Sequence, residues 1–371
     1  VTQASRLQAL PRAVHPVAWW LWAIGLAIAA SRTTNPLLLC LILGVVCLVV
    51  TCRKTDAPWA RGFRYYLYLG GFVVLSRLVF RIVFGDGGGG HVLLDLPTIG
   101  LPSWAAGITL LGPVTAQALL GGLYAGLALA TIIVCLGAAS SLANPRRLLK
   151  SLPGALYEVG TAVVVALSVA PQLVESVQRV RRARRLRAAP SSGAGALHGI
   201  VVPVLEDALD RSRALAAAMD SRGYGRSAGE SRRTRAVTGT LVVGGLLGMC
   251  AGVYGLLDAS TPRALGAPTL LVGAAVSLAG LRLGGRRVRR SRYRPDPWLG
   301  PEWLVTCSGL VAAVVCYLAS ATDAAHLDPS LDPLTWPQLP LLPAAAVLVA
   351  SLPAFFTPRP PVPAPDPAPQ T

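Results

Sequence analysis

Between Gln178 and Arg235 the chain carries thirteen arginines against five acids, and nothing else in its 371 residues concentrates charge this way. A guanidinium is a planar fork of donors that fits carboxylate, carbonyl or phosphate oxygens. Such a run could serve nucleic acid, anionic lipid or a pocket on another protein. Two triplets separate these uses. Leu186-Arg187-Ala188 closes one helical stretch and Ser221-Arg222-Gly223 closes the next. A lone arginine beside a small residue at a helix end is poor for lipid, where several charges add. It suits insertion into a protein pocket, because the small neighbour lets the fork reach its acceptors.

The other reactive residue types form no constellation. Cys40, Cys47, Cys52, Cys135, Cys250, Cys307 and Cys316 lie in or beside apolar stretches without a C-x-x-C pair, so neither zinc nor a disulfide framework is indicated. His15, His91, His198 and His326 are scattered, and no metal site is expected. The only lysines, Lys54 and Lys150, sit in no glycine-rich loop, and the glycines of 87–90 are not followed by the G-K-[ST] of a phosphate cradle. Glu206, Asp207 and Asp210 are the only tight acidic cluster, read as capping and solvating the start of a helix. No catalytic residue and no cofactor is assigned. If ATP is used, another chain binds it.

These residues must be held by a membrane protein. The chain is 53% hydrophobic and only 14% charged, where soluble domains carry about 25% charged residues. Its net charge of +17 is almost all arginine, placed in runs that flank apolar segments. That is the pattern of cytoplasmic loops under the positive-inside rule, and it excludes a nucleic-acid partner.

The expected fold is all-α and polytopic, with about eight transmembrane helices, cytoplasmic amphipathic coupling helices and both termini inside. The apolar runs are 17–30, 37–50, 65–84, 113–137, 237–257, 265–283, 303–321 and 341–356. Arg77 and Arg81 in the third run are expected to snorkel to the surface, the alternative being that they face a partner helix. The glycine-rich loop 85–104 and the acidic loop 322–333 fall outside, the basic loops inside. The apolar run 155–170 has basic flanks on both sides, so it is expected to enter the membrane layer without fully crossing. Four regions follow: N-terminal spans 1–143, a coupling region 144–235 with the embedded run 155–170, C-terminal spans 236–357, and a disordered proline-rich tail 358–371.

Within the coupling region, Leu173, Val174, Val177 and Val180 make a short apolar stripe before the arginines take over. After a break at 190–195, Val204, Leu205, Ala208, Leu209, Ser212, Leu215, Ala216 and Met219 make a second stripe at helical spacing. Gly223 and Gly225 stand where a helix would end. Paired amphipathic helices lying on anionic lipid would show the same stripes.

At these residues the chain resembles the transmembrane T component of energy-coupling factor (ECF) transporters, the EcfT/CbiQ family. AMDSRGYG (218–225) is similar to the family's A-x-x-A/S-R-G motif, with Ser221 where alanine is common. RVRRARRLRA (179–188) resembles the partner motif, with Ala183 and Arg187 in the matching places and Ala188 for the usual glycine. A second register uses Ala183-Arg184-Arg185, which leaves the first coupling arginine open between Arg187 and Arg184. NPRRLLKSLP (144–153) looks like the first short coupling helix. The resemblance implies a scaffold and not an enzyme. It docks Ala183, Arg184, Leu186, Arg187, Ala188, Ser221, Arg222 and Gly223 on two cytoplasmic ABC-type ATPases, and it relays their motion to a small substrate-binding membrane subunit, the S component. The implied cargo is a vitamin or transition-metal micronutrient, and the implied location is the cell membrane, with lipid as the surrounding partner. The alternative readings are an integral-membrane transferase acting on a lipid-linked substrate, and an ordinary ABC permease or membrane scaffold.

Overall fold

The computed structural model describes residues 13–55, 59–84, 91–97, 99–100, 109–151, 157–187, 194–223, 232–257, 263–285 and 296–358. The four-glycine run, Ala188, Gly225, most of the basic stretch 284–294 and the proline-rich tail from Arg359 lie outside the described residues. The chain divides into two compact units, residues 1–148 with 294–371, and residues 149–293.

Helix boundaries in the first unit follow from local chemistry. α1 (Pro16–Ser31) and α2 (Pro36–Arg53) each begin with a proline, whose missing N–H is one the first turn could not have satisfied anyway. The His15 and Asn35 side chains cap them, accepting from the Val17 and Leu37 N–H groups at 3.3 and 3.0 Å. α3 (Phe63–Val83) follows a single 3₁₀ turn. The strands β1 (Val92–Asp95), β2 (Ile99–Gly100), β3 (Thr109–Leu110) and β4 (Pro113–Thr115) form two antiparallel pairs, β1 with β4 and β2 with β3. α4 (Ala116–Leu142) and the short α5 (Pro145–Lys150) complete the N-terminal part.

The second unit holds α6 (Tyr157–Leu186), α7 (Ala194–Ser221), α8 (Arg232–Leu257) and α9 (Arg263–Gly285). The chain then rejoins the first unit as α10 (Gly300–Thr322), the single turn α11 (Ala324–Leu327), α12 (Leu341–Val349) and α13 (Pro353–Phe356). The protein is all-α and polytopic. Among the described residues, seven helices are long and apolar enough to cross a membrane, and Pro16–Ser31 and Leu341–Phe356 are shorter apolar stretches.

The core of the first unit joins chain segments from both ends. Trp22, Leu26, Leu38, Leu39, Ile42, Val46 and Val49 are fully buried, together with Val305 of α10. Without a hydrophobic drive between helices in lipid, close packing relies on small residues. α4 presents Gly122, Gly126 and Gly137 to α3, where the stems of Arg81 and Arg77 and the ring of Tyr66 cover them. The stems of Arg77 and Arg81 thus lie along a partner helix, with Arg77 exposed. Both ends of the unit are tied by polar contacts. Buried Asn35 donates through Nδ2 to the carbonyls of His326 (2.9 Å) and Gln338 (2.6 Å). At the other end Arg53 donates to the carbonyls of Pro353 (3.1 Å) and Ala354 (2.8 Å), and Arg147 pairs with Asp296 at 2.7 Å. Glu302, fully buried at the start of α10, accepts from the backbone N–H groups of Leu299 and His15.

Four boundaries differ from the sequence reading. Residues 113–115 are extended, because they pair with β1, so the fourth helix starts at Ala116. The apolar run 155–170 is no separate segment: it continues through Pro171 into the arginine block as one helix, α6. α7 begins at Ala194, with Pro203 inside it. The last apolar run is broken between Val349 and Pro353, since a proline lacks the N–H that a continuing helix needs.

In the second unit α8 and α9 form a hairpin with touching backbones. A Cβ on Gly252 would come within 2.6 Å of the Leu270 Cα, and one on Gly245 within 2.7 Å of the Gly273 carbonyl oxygen.

Candidate functional site

The arginine block folds as the second half of α6 followed by α7. Its centre is the carboxylate of Asp207. Ser176 of α6, only 3% exposed, donates its hydroxyl to Asp207 Oδ2 at 2.7 Å. Arg211, one turn further along α7, donates to both oxygens, Nε to Oδ1 at 3.0 Å and a terminal nitrogen to Oδ2 at 2.9 Å. Arg179 of α6 stands 3.9 Å away. The Ser176 hydroxyl, with the guanidinium groups of Arg211 and Arg179, holds the Asp207 carboxyl below the usual carboxylate range, against the opposing effect of burial.

A second contact fixes the direction of the pair. Further along α6, the Arg184 guanidinium lies on Gly199, where any Cβ would overlap it. Ser176 meets Asp207 while Arg184 meets the earlier residue Gly199, so α6 and α7 run antiparallel.

The two helix ends are built differently. At the end of α6 the Arg187 N–H donates to the Arg184 carbonyl at 3.1 Å, closing the last turn beneath a Leu186 side chain that is 89% exposed. Cations in that turn, Arg184 and Arg185, face the negative end of the helix dipole. At the end of α7 the Arg222 and Gly223 N–H groups donate to Met219 and Asp220 carbonyls at 3.1 and 2.9 Å, and Gly223 adopts φ +76°. That left-handed turn is where glycine ends a helix without penalty. Ser221 spends its hydroxyl on the Ala218 carbonyl.

Ala183, Leu186, Arg187, Ser221, Arg222 and Gly223 are all exposed, whereas Arg184 is half-buried; Ala188 lies outside the described residues. The fold does not bring the two triplets together. The end of α6 lies beside the start of α7, and from Gly199 to Arg222 the helix advances about 35 Å at roughly 1.5 Å per residue. The arginine tips therefore point from opposite ends of one antiparallel pair.

Sequence reasoning missed the joint. The sequence pattern places Asp207 at the start of a helix, but α7 starts at Ala194, so Asp207 is mid-helix and faces α6. The i,i+4 spacing of Asp207 and Arg211 is a legible ion-pair signal; Ser176 carries none. Among the described residues no three His, Cys, Asp or Glu side chains gather as metal ligands.

A family model described as "CbiQ: Cobalt transport protein" matches residues 9–234, well over half of the chain. The chain belongs to the CbiQ family. The match spans α1 to α7 with both arginine triplets, and it ends as α8 begins. Membership makes the protein a membrane transport component. No curated protein matches it. The CbiQ match does not extend over most of α8 or any of α9 to α13, and α10 and α12 are nonetheless built into the same core as α1 and α2.

Proposed function

We propose that this CbiQ-family chain is the energy-coupling T subunit of an ECF-type ABC importer for a vitamin or transition-metal micronutrient. It takes no part in chemistry itself. Two cytoplasmic ABC-type ATPases each receive one arginine tip, Arg187 or Arg222, and a small substrate-binding S component rests on the membrane body. The chain lies in the cell membrane with its arginine loops and termini on the cytoplasmic side.

One observation carries this reading: two exposed arginines, Arg187 and Arg222, sit at opposite ends of a joined antiparallel helix pair, with about 35 Å of α7 between Gly199, which packs on Arg184, and Arg222. A single pocket could not take both, whereas one pocket on each half of an ATPase dimer could. The exposed apolar residues Leu205, Leu209 and Leu215 of α7 add a face suited to lipid or to a membrane subunit. The acidic cluster supports the same conclusion over a transferase reading, since Asp207 is occupied in joining helices. The description of the family points to cobalt, and within such a complex the S component selects the cargo.

Co-purification tests the reading. Co-expressed with two ABC-type ATPases and a small S-component membrane protein from the same organism, the chain should hold both ATPases and that protein through size exclusion in mild detergent. Elution of the chain alone would overturn it.

A further inference from the structure

We infer that the Asp207 carboxylate is a register joint, the point at which movement of one arginine tip is passed to the other. The inference rests on the T-subunit reading above and adds a positioning role for Asp207, Ser176 and Arg211.

The geometry favours a joint over a simple stabilising bridge. The Asp207 and Arg211 side chains are each about a third exposed, at 33% and 38%, and ion pairs so open to water add little stability. What the carboxylate supplies is placement. Three donors, one from α6 and two from α7, converge on its two oxygens. Ser176 is 3% exposed, so sliding α6 past α7 by one residue would take its buried hydroxyl off the charged acceptor and leave it only a weaker bond within its own helix. A buried polar contact of this kind specifies register, its best-attested use.

Away from this crossing the two helices have little to hold them together. Leu173, Val174 and Leu186 on α6 and Leu197, Val201, Leu205, Leu209 and Leu215 on α7 are all exposed. The Arg184–Gly199 contact is the second fixed point, and two points on antiparallel rods define their relative position. With the Asp207 joint intact, a push on Arg222 displaces α6 as well as α7. With it removed, the rods can slide.

The test uses the complete complex in proteoliposomes, with cobalt(II) as the transported probe and uptake expressed per ATP hydrolysed. Asp207→Ala should keep both ATPases bound and ATP hydrolysis unchanged, while uptake per ATP falls about tenfold, within the range that single positions in a coupling network command. Asp207→Glu, which retains the carboxylate, should recover part of the loss. A Ser176→Cys/Asp207→Cys variant, its bridge identified by peptide mapping, should regain wild-type uptake per ATP when oxidised and lose it on reduction. This readout follows register and not mere folding. Unchanged coupling in Asp207→Ala, or a bridged variant as uncoupled as Asp207→Ala, would overturn the joint alone. An Arg222→Glu variant that retains its ATPases would overturn the T-subunit reading and the joint with it.

Discussion

Gly25 of α1 and Gly309 of α10 meet backbone to backbone, although most of the chain lies between them. A Cβ on Gly309 would fall 2.6 Å from the Trp22 Cα, and one on Gly25 would fall 2.6 Å from the Gly309 carbonyl carbon. The buried Trp22 indole, one turn away, donates to the Ala350 carbonyl at 3.0 Å. The C-terminal helices therefore complete the core of the N-terminal ones.

Gly309→Leu should consequently be as damaging as a core defect. Main chain cannot yield as a flexible side chain can, and overpacking costs about 1–3 kcal/mol where some relaxation is possible. The expected result is a lowered unfolding temperature in detergent, with aggregation on size exclusion. Gly44→Leu, at a helix position with open space around it, serves as the control and should behave as wild type. Equal stability of the two variants would show that α10 does not pack on α1 as described.

The two candidate first arginines, Arg184 and Arg187, separate by their surroundings. Arg187 is exposed at the tip, while Arg184 lies on Gly199 within the pair. Arg187→Glu and Arg222→Glu should each abolish ATPase capture, since truncating a charge buried at an interface costs about 2–5 kcal/mol and reversal costs more. Arg184→Ala should leave capture within about threefold of wild type, as expected for a residue outside the interface. Pull-down yields from the three variants decide the matter. Loss of capture in Arg184→Ala with retention in Arg187→Glu would reverse the assignment.

Much of this architecture was legible because charge and length speak directly in membrane proteins. The Asn35-Pro36 turn, the helix around Ile42 and the end of α7 at Gly223 followed from caps, hydropathy and glycine chemistry. What escaped depended on distant partners. Pro113–Thr115 look like the start of an apolar helix until the pairing with Val92–Asp95 is known. Pro171 reads as a bend in the chain and Pro203 as the start of a helix, and only the helices built around them show both as interior positions. Asp207 read as a solvated acid because its main partner, Ser176, lies on another helix and has no pattern of its own.

The pH response of the joint follows from the direction of the Asp207 shift. Its folded pKa is depressed, so its contribution is present above the unfolded value of about 3.9. That contribution is lost only as pH falls through the lower, folded value. The groups facing the carboxylate are Ser176 and Arg179 from α6 and Arg211 from α7. Between neutral pH and about pH 5 the α6–α7 contact should accordingly stay intact. Carbon-detected NMR of the labelled Asp207 carboxyl should report a midpoint below the ordinary aspartate range. Ser176→Ala should move that midpoint upward, because the serine hydroxyl is the leading cause of the depression. A midpoint at or above the ordinary value in the unaltered chain would mean the carboxylate is not held as described, and an unmoved midpoint in Ser176→Ala would remove the serine from the joint.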